Sequence, residues 1–135
     1  MQNEWVLKGK VVSGVRKAAY FTQLEWVQEQ CMEKLGFKPY PGTLNLEISE
    51  KDLPIIEALQ KEEGIELMPP DPTFCAAKAM PLSIGHVSGA IIIPAEEVRV
   101  HGKKVIEVIS PLRLKETLGV EDGDYLTLTV KKPKT

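Results

Sequence analysis

The chain has 135 residues, of which 43% are hydrophobic and 27% charged, and its 17 Lys and Arg residues against 19 Asp and Glu residues give a net charge of −2. The near-zero net charge excludes a broad basic surface for duplex nucleic acid. No apolar run approaches the roughly 20 residues of a bilayer helix. Two cysteines without a Cys-x-x-Cys motif exclude a disulfide scaffold or zinc module. We therefore expect one cytoplasmic domain over residues 1–135, with residues 131–135 as a frayed tail.

The first predicted elements are a strand and a helix. Apolar and polar side chains alternate over Trp5–Val12, which predicts a half-buried strand. Apolar residues then recur at helical spacing over Thr22–Leu35, with Thr22 and Glu25 in the positions of a capping box and Gly36 as the C-terminal stop. On that apolar stripe, Cys31 is expected to be an inert core thiol.

A second strand and a second helix follow. Alternation over Thr43–Ile48 predicts a strand that begins after a Pro-rich turn. Asp52–Lys61 predicts a short helix, because Pro54 suits the first helical turn and Gly64 suits the end. A short segment, Ile65–Met68, precedes a further Pro-rich loop.

The second half of the chain predicts mostly strands. These are Phe74–Met80, Ala90–Ile93, Val98–Val100, Lys104–Ile109 and Tyr125–Val130, with His101-Gly102 as a tight turn. A helix is predicted from Ser110 to Leu118, with Ser110 as the N-cap, Pro111 at the first helical position and Gly119 as the stop. Many short strands with few helices indicate a mainly β fold, a small β-barrel with short helical insertions.

Two residues at the start of the second strand are candidates for metal binding. Thr43 and Asn45 lie two positions apart, so their side chains point to the same face. A hydroxyl and an amide carbonyl are neutral oxygen ligands that suit Mg²⁺ when phosphates supply the remaining charge. The competing interpretation is a turn cap next to the polar face of a strand.

Glu107 is the candidate for acid–base chemistry. It interrupts the apolar run Val105–Ile109. On the outside of the sheet it is the polar half of an alternating strand, whereas in a cleft its partial burial raises its pKa toward the range of a general base. Periodicity leaves both interpretations open.

A third candidate is the segment that begins at Ser110. The N-terminus of a helix carries N–H groups without intrahelical partners, and Arg113 and Lys115 follow closely, which together predict an anion-binding helix end. Most helix starts bind no ligand, which is the competing interpretation.

These segments, taken in order, resemble the CTP-dependent riboflavin kinases found chiefly in archaea. The resemblance extends from about Leu7 to Val130, and the Pro-Tyr-x-Gly-Thr-Leu-Asn-Leu block is its most specific part. The matching segments are Val11–Gly14 with Tyr20-Phe21, Leu35–Leu46, Gly89–Pro94, Val105–Pro111 and Asp122–Asp124.

The resemblance implies a cradle-loop β-barrel that transfers the γ-phosphate of CTP to the 5′-hydroxyl of riboflavin, giving FMN and CDP. It further implies Mg²⁺ held by Thr43 and Asn45. Glu107 would contact the flavin's ribityl end and act as the base. The nucleotide would be bound by Leu112, Arg113, Leu114 and Lys115 and by the loop residues Gly14, Val15, Arg16, Lys17 and Tyr20.

The chain departs from the family pattern at two places. The family's nucleotide loop is rich in glycine, whereas here Val15–Ala19 stand between Gly14 and Tyr20. Arg16 and Lys17 are expected to replace the lost backbone contacts with charge-assisted bonds to phosphate. The family's flavin-contacting threonine has no counterpart at Ala95–Glu97.

Two other functions compete with the kinase interpretation. One is a barrel that binds a flavin or nucleotide without catalysis. The other is a DNA-binding barrel, suggested by Leu118–Asp124.

Overall fold

One antiparallel sheet organises the chain. The computed structural model describes residues 3–13, 22–70, 77–94 and 105–133. Its strands are β1 (Glu4–Val12), β2 (Leu44–Ile48), β3 (Ile65–Leu67), β4 (Ala77–Ile84), β5 (Val87–Pro94), β6 (Val105–Ile109) and β7 (Tyr125–Lys131). Its helices are α1 (Glu25–Leu35), α2 (Leu53–Lys61), which follows a 3-10 turn at Glu50–Asp52, and α3 (Leu114–Leu118).

The sheet closes into a ring. The strands pair in the order β3-β4-β5-β6-β2-β1-β7, and β4 also pairs with β7. In that closing pair, Leu82 lies opposite Val130 and Ser83 lies opposite Thr129. Every strand except β3 therefore belongs to the ring. The predicted mainly β fold with short helical insertions is confirmed, and the ring closure is what the barrel prediction requires.

Side-chain alternation along the strands separates two apolar clusters. The larger cluster draws on every strand of the ring, as inward-facing side chains do, and α2 adds Ile56 and Leu59 to it. The smaller cluster lies on the outer face, where Val27 and Cys31 of α1 pack against Ala90, Ile92 and Ile109. Burial raises the pKa of the Cys31 thiol to about 11. The predicted core position of Cys31 is therefore confirmed.

The hairpin of β4 and β5 is longer than the predicted strands Phe74–Met80 and Ala90–Ile93. β4 continues through Pro81, which lies opposite Ala90 in the ladder. A two-residue turn then reverses the chain, with Gly85 at a φ of 61° that favours glycine. The predicted bounds miss residues 81–84 and 87–89, which the antiparallel pairing of β4 with β5 adds to the two strands. The predicted elements at 74–76, 98–100 and 101–102 lie outside the described residues.

Helix α1 begins later than predicted, although it ends where predicted. It starts at Glu25 without a side-chain cap, so the capping-box prediction is wrong. The Thr22 hydroxyl instead accepts a hydrogen bond from the Gly42 N–H at 2.9 Å. At the other end Gly36 has a φ of 83° and donates its N–H to the Cys31 carbonyl.

The other helical predictions are corrected in part. Helix α2 has Pro54 in its first turn and ends at Lys61, both as predicted, but it begins at Leu53, and the extended residue Glu62 rather than Gly64 closes it. Helix α3 begins at Leu114 rather than Ser110 and ends, as predicted, at Gly119 with a φ of 65°.

The last strand holds part of the segment expected to be a frayed tail. Lys131 lies opposite Glu4 in β1, and the Lys132 N–H donates to the Asn3 carbonyl at 2.9 Å. Residues 134–135 lie outside the described part of the chain. Within the described ranges, no helix combines the length and apolar character needed to cross a membrane.

Close approach of β5 and β6 makes Gly89 a sensitive position. A Cβ atom at Gly89 would lie 2.4 Å from the Ile109 carbonyl oxygen, which is closer than real Cβ contacts allow. Overpacking of this kind costs about 1–3 kcal/mol. We expect Gly89→Ala to lower the free energy of unfolding by that amount in a urea titration. Ser88→Ala, at the exposed neighbouring position, is the control, with a change below about 0.5 kcal/mol. Equal stability of the two variants would contradict the steric account.

Candidate active site

The three predicted catalytic and metal-binding residues meet on the outer face of the ring. Strand β2 points Leu44 and Leu46 into the interior cluster, which leaves Asn45 on the outer face. The antiparallel register places Asn45 directly opposite Glu107 of β6. Thr43, immediately before β2, is hydrogen-bonded through its side chain to Glu107. Two segments separated by some sixty residues in sequence therefore form one polar cluster.

Glu107 combines the two environments that the sequence left open. It lies on the outer face, as the polar half of an alternating strand does, but it is half-buried there, between Asn45 on β2 and Ile92 on β5. Burial raises the pKa of its carboxyl above the usual 4.5, and the hydrogen bond from Thr43 acts in the opposite direction. A carboxylate of raised pKa is a stronger base at neutral pH than an exposed one.

The cluster contains an acceptor that the described residues do not satisfy. The Oδ1 atom of Asn45 is buried and has no hydrogen-bond partner among the described residues. A buried acceptor left without a partner is costly, so such an atom suggests a missing ion or ligand. A divalent cation fits this environment, because a hydroxyl that donates to Glu107 still has lone pairs for a metal and Asn45 supplies a second neutral oxygen.

A cleft of about 220 Å³ opens beside Thr43. One wall is the turn before β2, residues Tyr40–Leu44, and the other consists of Val108, Ser110 and Leu112–Lys115. The predicted metal ligand Thr43 and the predicted nucleotide segment Leu112–Lys115 therefore line the same cavity. Tyr40 and Leu112 are 41% and 50% exposed there, which offers apolar surface to a ring-shaped ligand.

Ser110 holds the two walls of the cleft together. Its carbonyl accepts the Tyr40 N–H at 2.8 Å. Its buried hydroxyl donates to the Ser88 carbonyl at 3.1 Å and accepts the Leu112 N–H at 3.3 Å. Ser110 does not cap α3, because α3 begins only at Leu114 and has Arg113 as its N-cap. The predicted helix start at Ser110 is therefore wrong, whereas anion binding by this segment stays a prediction.

The basic residues of this segment have acidic partners. Arg113 pairs with Glu116 at 2.7 Å, and Lys115 pairs with Asp122 at 2.8 Å. The sequence predicts only a turn at Tyr40 and no site role for Asp122. The Pro-Tyr-Pro sequence was the available signal for Tyr40, since it fixes an aromatic side chain in a stiff turn. The predicted loop residues Gly14–Tyr20 and the segment Ala95–Glu97 lie outside the described residues.

The raised pKa of Glu107 predicts a pH-dependent effect on stability. The folded protein holds the Glu107 proton more tightly than the unfolded chain does, so stability falls as the pH rises from 4.5 through the folded-state pKa. Gln cannot ionise, and it can still accept the bond from Thr43. We expect Glu107→Gln to raise the melting temperature at pH 8 and to change it much less at pH 4. An equal change at both pH values in thermal unfolding would contradict the burial argument.

Comparison with known proteins places the chain in a family. Residues 11–130 match the family model CTP-dep_RFKase, which is described as "Domain of unknown function DUF120". The chain belongs to the CTP-dependent riboflavin kinase family. The matched range contains Thr43, Asn45, Glu107 and the whole Leu112–Lys115 segment.

Curated relatives from this riboflavin kinase family are archaeal. The chain is 41% identical over 128 residues to a riboflavin kinase of Archaeoglobus fulgidus, covering 92% of this chain and 54% of that protein. It is 36% identical to a riboflavin kinase of Methanocella arvoryzae, covering 93% of this chain and 57% of that protein. For a riboflavin kinase of Saccharolobus solfataricus the identity is 35%, covering 92% and 73%. The chain thus spans little more than half the length of the first two relatives.

Proposed function

We propose that this chain phosphorylates the 5′-hydroxyl of riboflavin, with CTP as the donor and Mg²⁺ as the cofactor, to give FMN and CDP. The observation that carries the proposal is the register that sets Asn45 opposite Glu107, with Thr43 hydrogen-bonded to the same carboxylate. A base, two neutral oxygen ligands and a cleft are the parts that phosphoryl transfer needs, because positioning and charge stabilisation supply most of its catalysis.

In the proposed reaction Glu107 is the general base. Its carboxylate accepts the proton of the riboflavin 5′-hydroxyl while that oxygen forms a bond to the γ-phosphorus. The bond between the γ-phosphorus and the β–γ bridging oxygen breaks, and CDP leaves with the electron pair. The Thr43 hydroxyl, by donating to Glu107, holds the carboxylate in one orientation. Half-burial of Glu107 reduces competition from bulk water for the proton.

Thr43 and Asn45 would hold the Mg²⁺ ion through Oγ1 and Oδ1. When bound with a nucleoside triphosphate, Mg²⁺ neutralises the phosphate oxygens and polarises the transferred group. The unsatisfied Oδ1 of Asn45 supports this assignment, since coordination would satisfy it. The neutral ligand pair fits a cation that arrives with its own anionic phosphates.

The nucleotide would lie in the cleft beside Thr43, with Leu112–Lys115 along one wall. Its base or ribose would contact the exposed apolar surface there, and Lys115 would face the phosphates. Arg16 and Lys17 of the loop Gly14–Tyr20 are proposed as cationic contacts of the triphosphate. Riboflavin would approach from the side of Glu107, with its ribityl end toward the carboxylate.

The Arg16 and Lys17 assignment gives a direct prediction. Each charge-assisted contact is worth roughly 1.5–3 kcal/mol, so replacing both residues by alanine should raise the dissociation constant for Mg²⁺·CTP at least ten-fold. The salt dependence of binding should weaken, because fewer counterions are exchanged. Calorimetric titration at two salt concentrations measures both effects. Unchanged affinity would mean that the loop does not contact the phosphates.

The choice of donor is tested by product analysis. The chain is incubated with riboflavin, Mg²⁺ and each of CTP, ATP, GTP and UTP, and the flavins are separated by chromatography. We expect FMN with CTP in clear excess over the other three donors. FMN with another donor in excess would overturn the CTP assignment. Binding of flavin and nucleotide without any FMN would identify the chain as a non-catalytic binding barrel. The expected cytoplasmic location stays a prediction.

A further inference from the structure

The turn before β7 carries a carboxylate that joins the cleft residue Lys115 to Ser13 at the end of β1. Asp122 Oδ1 accepts a hydrogen bond from the Lys115 ammonium at 2.8 Å, and its Oδ2 accepts one from the Ser13 hydroxyl. Lys115 also lies 3.5 Å from the Ser13 hydroxyl. Ser13 directly precedes the loop that begins at Gly14, and Lys115 ends the segment Leu112–Lys115. Asp122 therefore links Lys115, which the proposed function assigns to the nucleotide, to the residue that follows β1.

The position of Asp122 is set by the backbone around it. The Gly123 N–H donates to the Val11 carbonyl at 2.8 Å, and the Val11 N–H donates to the Asp124 carbonyl at 2.7 Å. Asp124 closes the turn by accepting the Glu121 N–H on its carboxylate at 2.8 Å. The turn is thereby attached to the end of β1. Asp122 projects from a fixed support, whereas Lys115 has a flexible stem.

These contacts leave Lys115 with one N–H donor for a ligand in the cleft. An ammonium group has three N–H donors, and the bonds to Asp122 and Ser13 use two of them. Lys115 also lines the cleft beside Thr43. Fixing the ammonium in advance reduces the rotamer entropy lost when a phosphate binds, which favours affinity.

We propose that Asp122 is a positioning residue for nucleotide binding, which holds Lys115 toward the triphosphate. This inference rests on the proposed function. The proposed effect of Asp122 on nucleotide affinity is opposite in sign to that of simple charge repulsion. An acidic side chain close to a triphosphate repels it, so removal of its charge would by itself strengthen binding.

The sign of the effect provides the test. In calorimetric titrations with Mg²⁺·CTP, Asp122→Asn should raise the dissociation constant by about five-fold, the size expected for one well-placed surface ion pair. Asp124→Asn is the matched control, because it removes the same charge from the same turn and its amide oxygen can still accept the Glu121 N–H. Its dissociation constant for Mg²⁺·CTP should stay within about two-fold of the wild-type value. In a Lys115→Met background, Asp122→Asn should change the dissociation constant by less than about two-fold, because the carboxylate acts through Lys115.

Steady-state kinetics separate positioning from a general loss of structure. Asp122→Asn should raise the KM for CTP and leave both kcat and the KM for riboflavin unchanged. Unchanged or tighter CTP binding by Asp122→Asn, next to normal binding and turnover by the wild-type chain, would overturn this inference alone. Failure of the wild-type chain to bind any nucleotide would overturn the proposed function together with this inference.

Discussion

Replacing Glu107 by glutamine should lower kcat for FMN formation at least 100-fold, since loss of a general base typically costs about 10²–10⁴ in rate. Gln keeps the size of the side chain and still accepts the hydrogen bond from Thr43, so riboflavin binding should be nearly unchanged. Because burial raises the pKa of Glu107 above 4.5, the wild-type rate should fall as the pH drops through that raised value. The Gln variant should lose this acidic limb of the profile.

Glu47→Gln is the matched control for this variant. Glu47 also lies on the outer face of β2, two residues beyond Asn45, and its carboxylate is 3.8 Å from the Lys10 ammonium. The substitution removes the same charge close to the site without touching the proposed base, so kcat should stay within about three-fold of wild type. A Glu107→Gln variant that turns over like Glu47→Gln would place the base elsewhere or show that the reaction needs none.

Removing either proposed metal ligand should abolish Mg²⁺-dependent turnover. Thr43→Val preserves the shape of the side chain but deletes the oxygen, and Asn45→Leu deletes the buried Oδ1. Thr43→Ser retains a hydroxyl and should keep measurable activity, which serves as the control. Stability should not suffer at position 45, because Leu removes a buried acceptor that has no hydrogen-bond partner among the described residues.

Two measurements on the same variants distinguish metal loss from misfolding. Circular dichroism should show wild-type folding for Thr43→Val and Asn45→Leu. Titration of turnover with Mg²⁺, at fixed CTP and riboflavin, should saturate for the wild type and Thr43→Ser only. Normal saturating turnover by Thr43→Val or Asn45→Leu would remove that residue from the metal site.

Short-range periodicity was sufficient to predict parts of this site. The period of two along a strand predicted that Thr43 and Asn45 share a face, and the glycines after α1 and α3 marked both helix ends. What periodicity could not supply was the register between distant strands. Only the pairing of β6 with β2 in this register places Glu107 against Asn45, and that pairing joins segments far apart in sequence.

The two failed capping predictions share one physical cause. Thr22 and Ser110 both have the side chain of a good helix cap, yet each hydroxyl bonds to a distant backbone group instead, Gly42 N–H and Ser88 carbonyl respectively. Serine and threonine hydroxyls bond to whichever backbone group the fold brings near, so a capping motif predicts a helix start only when no tertiary partner competes. In this chain both competing bonds shape the cleft.

The most direct test of the account follows the γ-phosphorus itself. The chain is mixed with riboflavin, Mg²⁺ and CTP labelled at the γ-phosphate, the reaction is quenched at short times, and labelled products are separated. We expect label to appear in FMN in equal amount to the CDP formed, for the wild type and Glu47→Gln, and Glu107→Gln to be slower by at least about 100-fold. Label that appears only as inorganic phosphate, or that never leaves CTP, would contradict transfer to the flavin at this site.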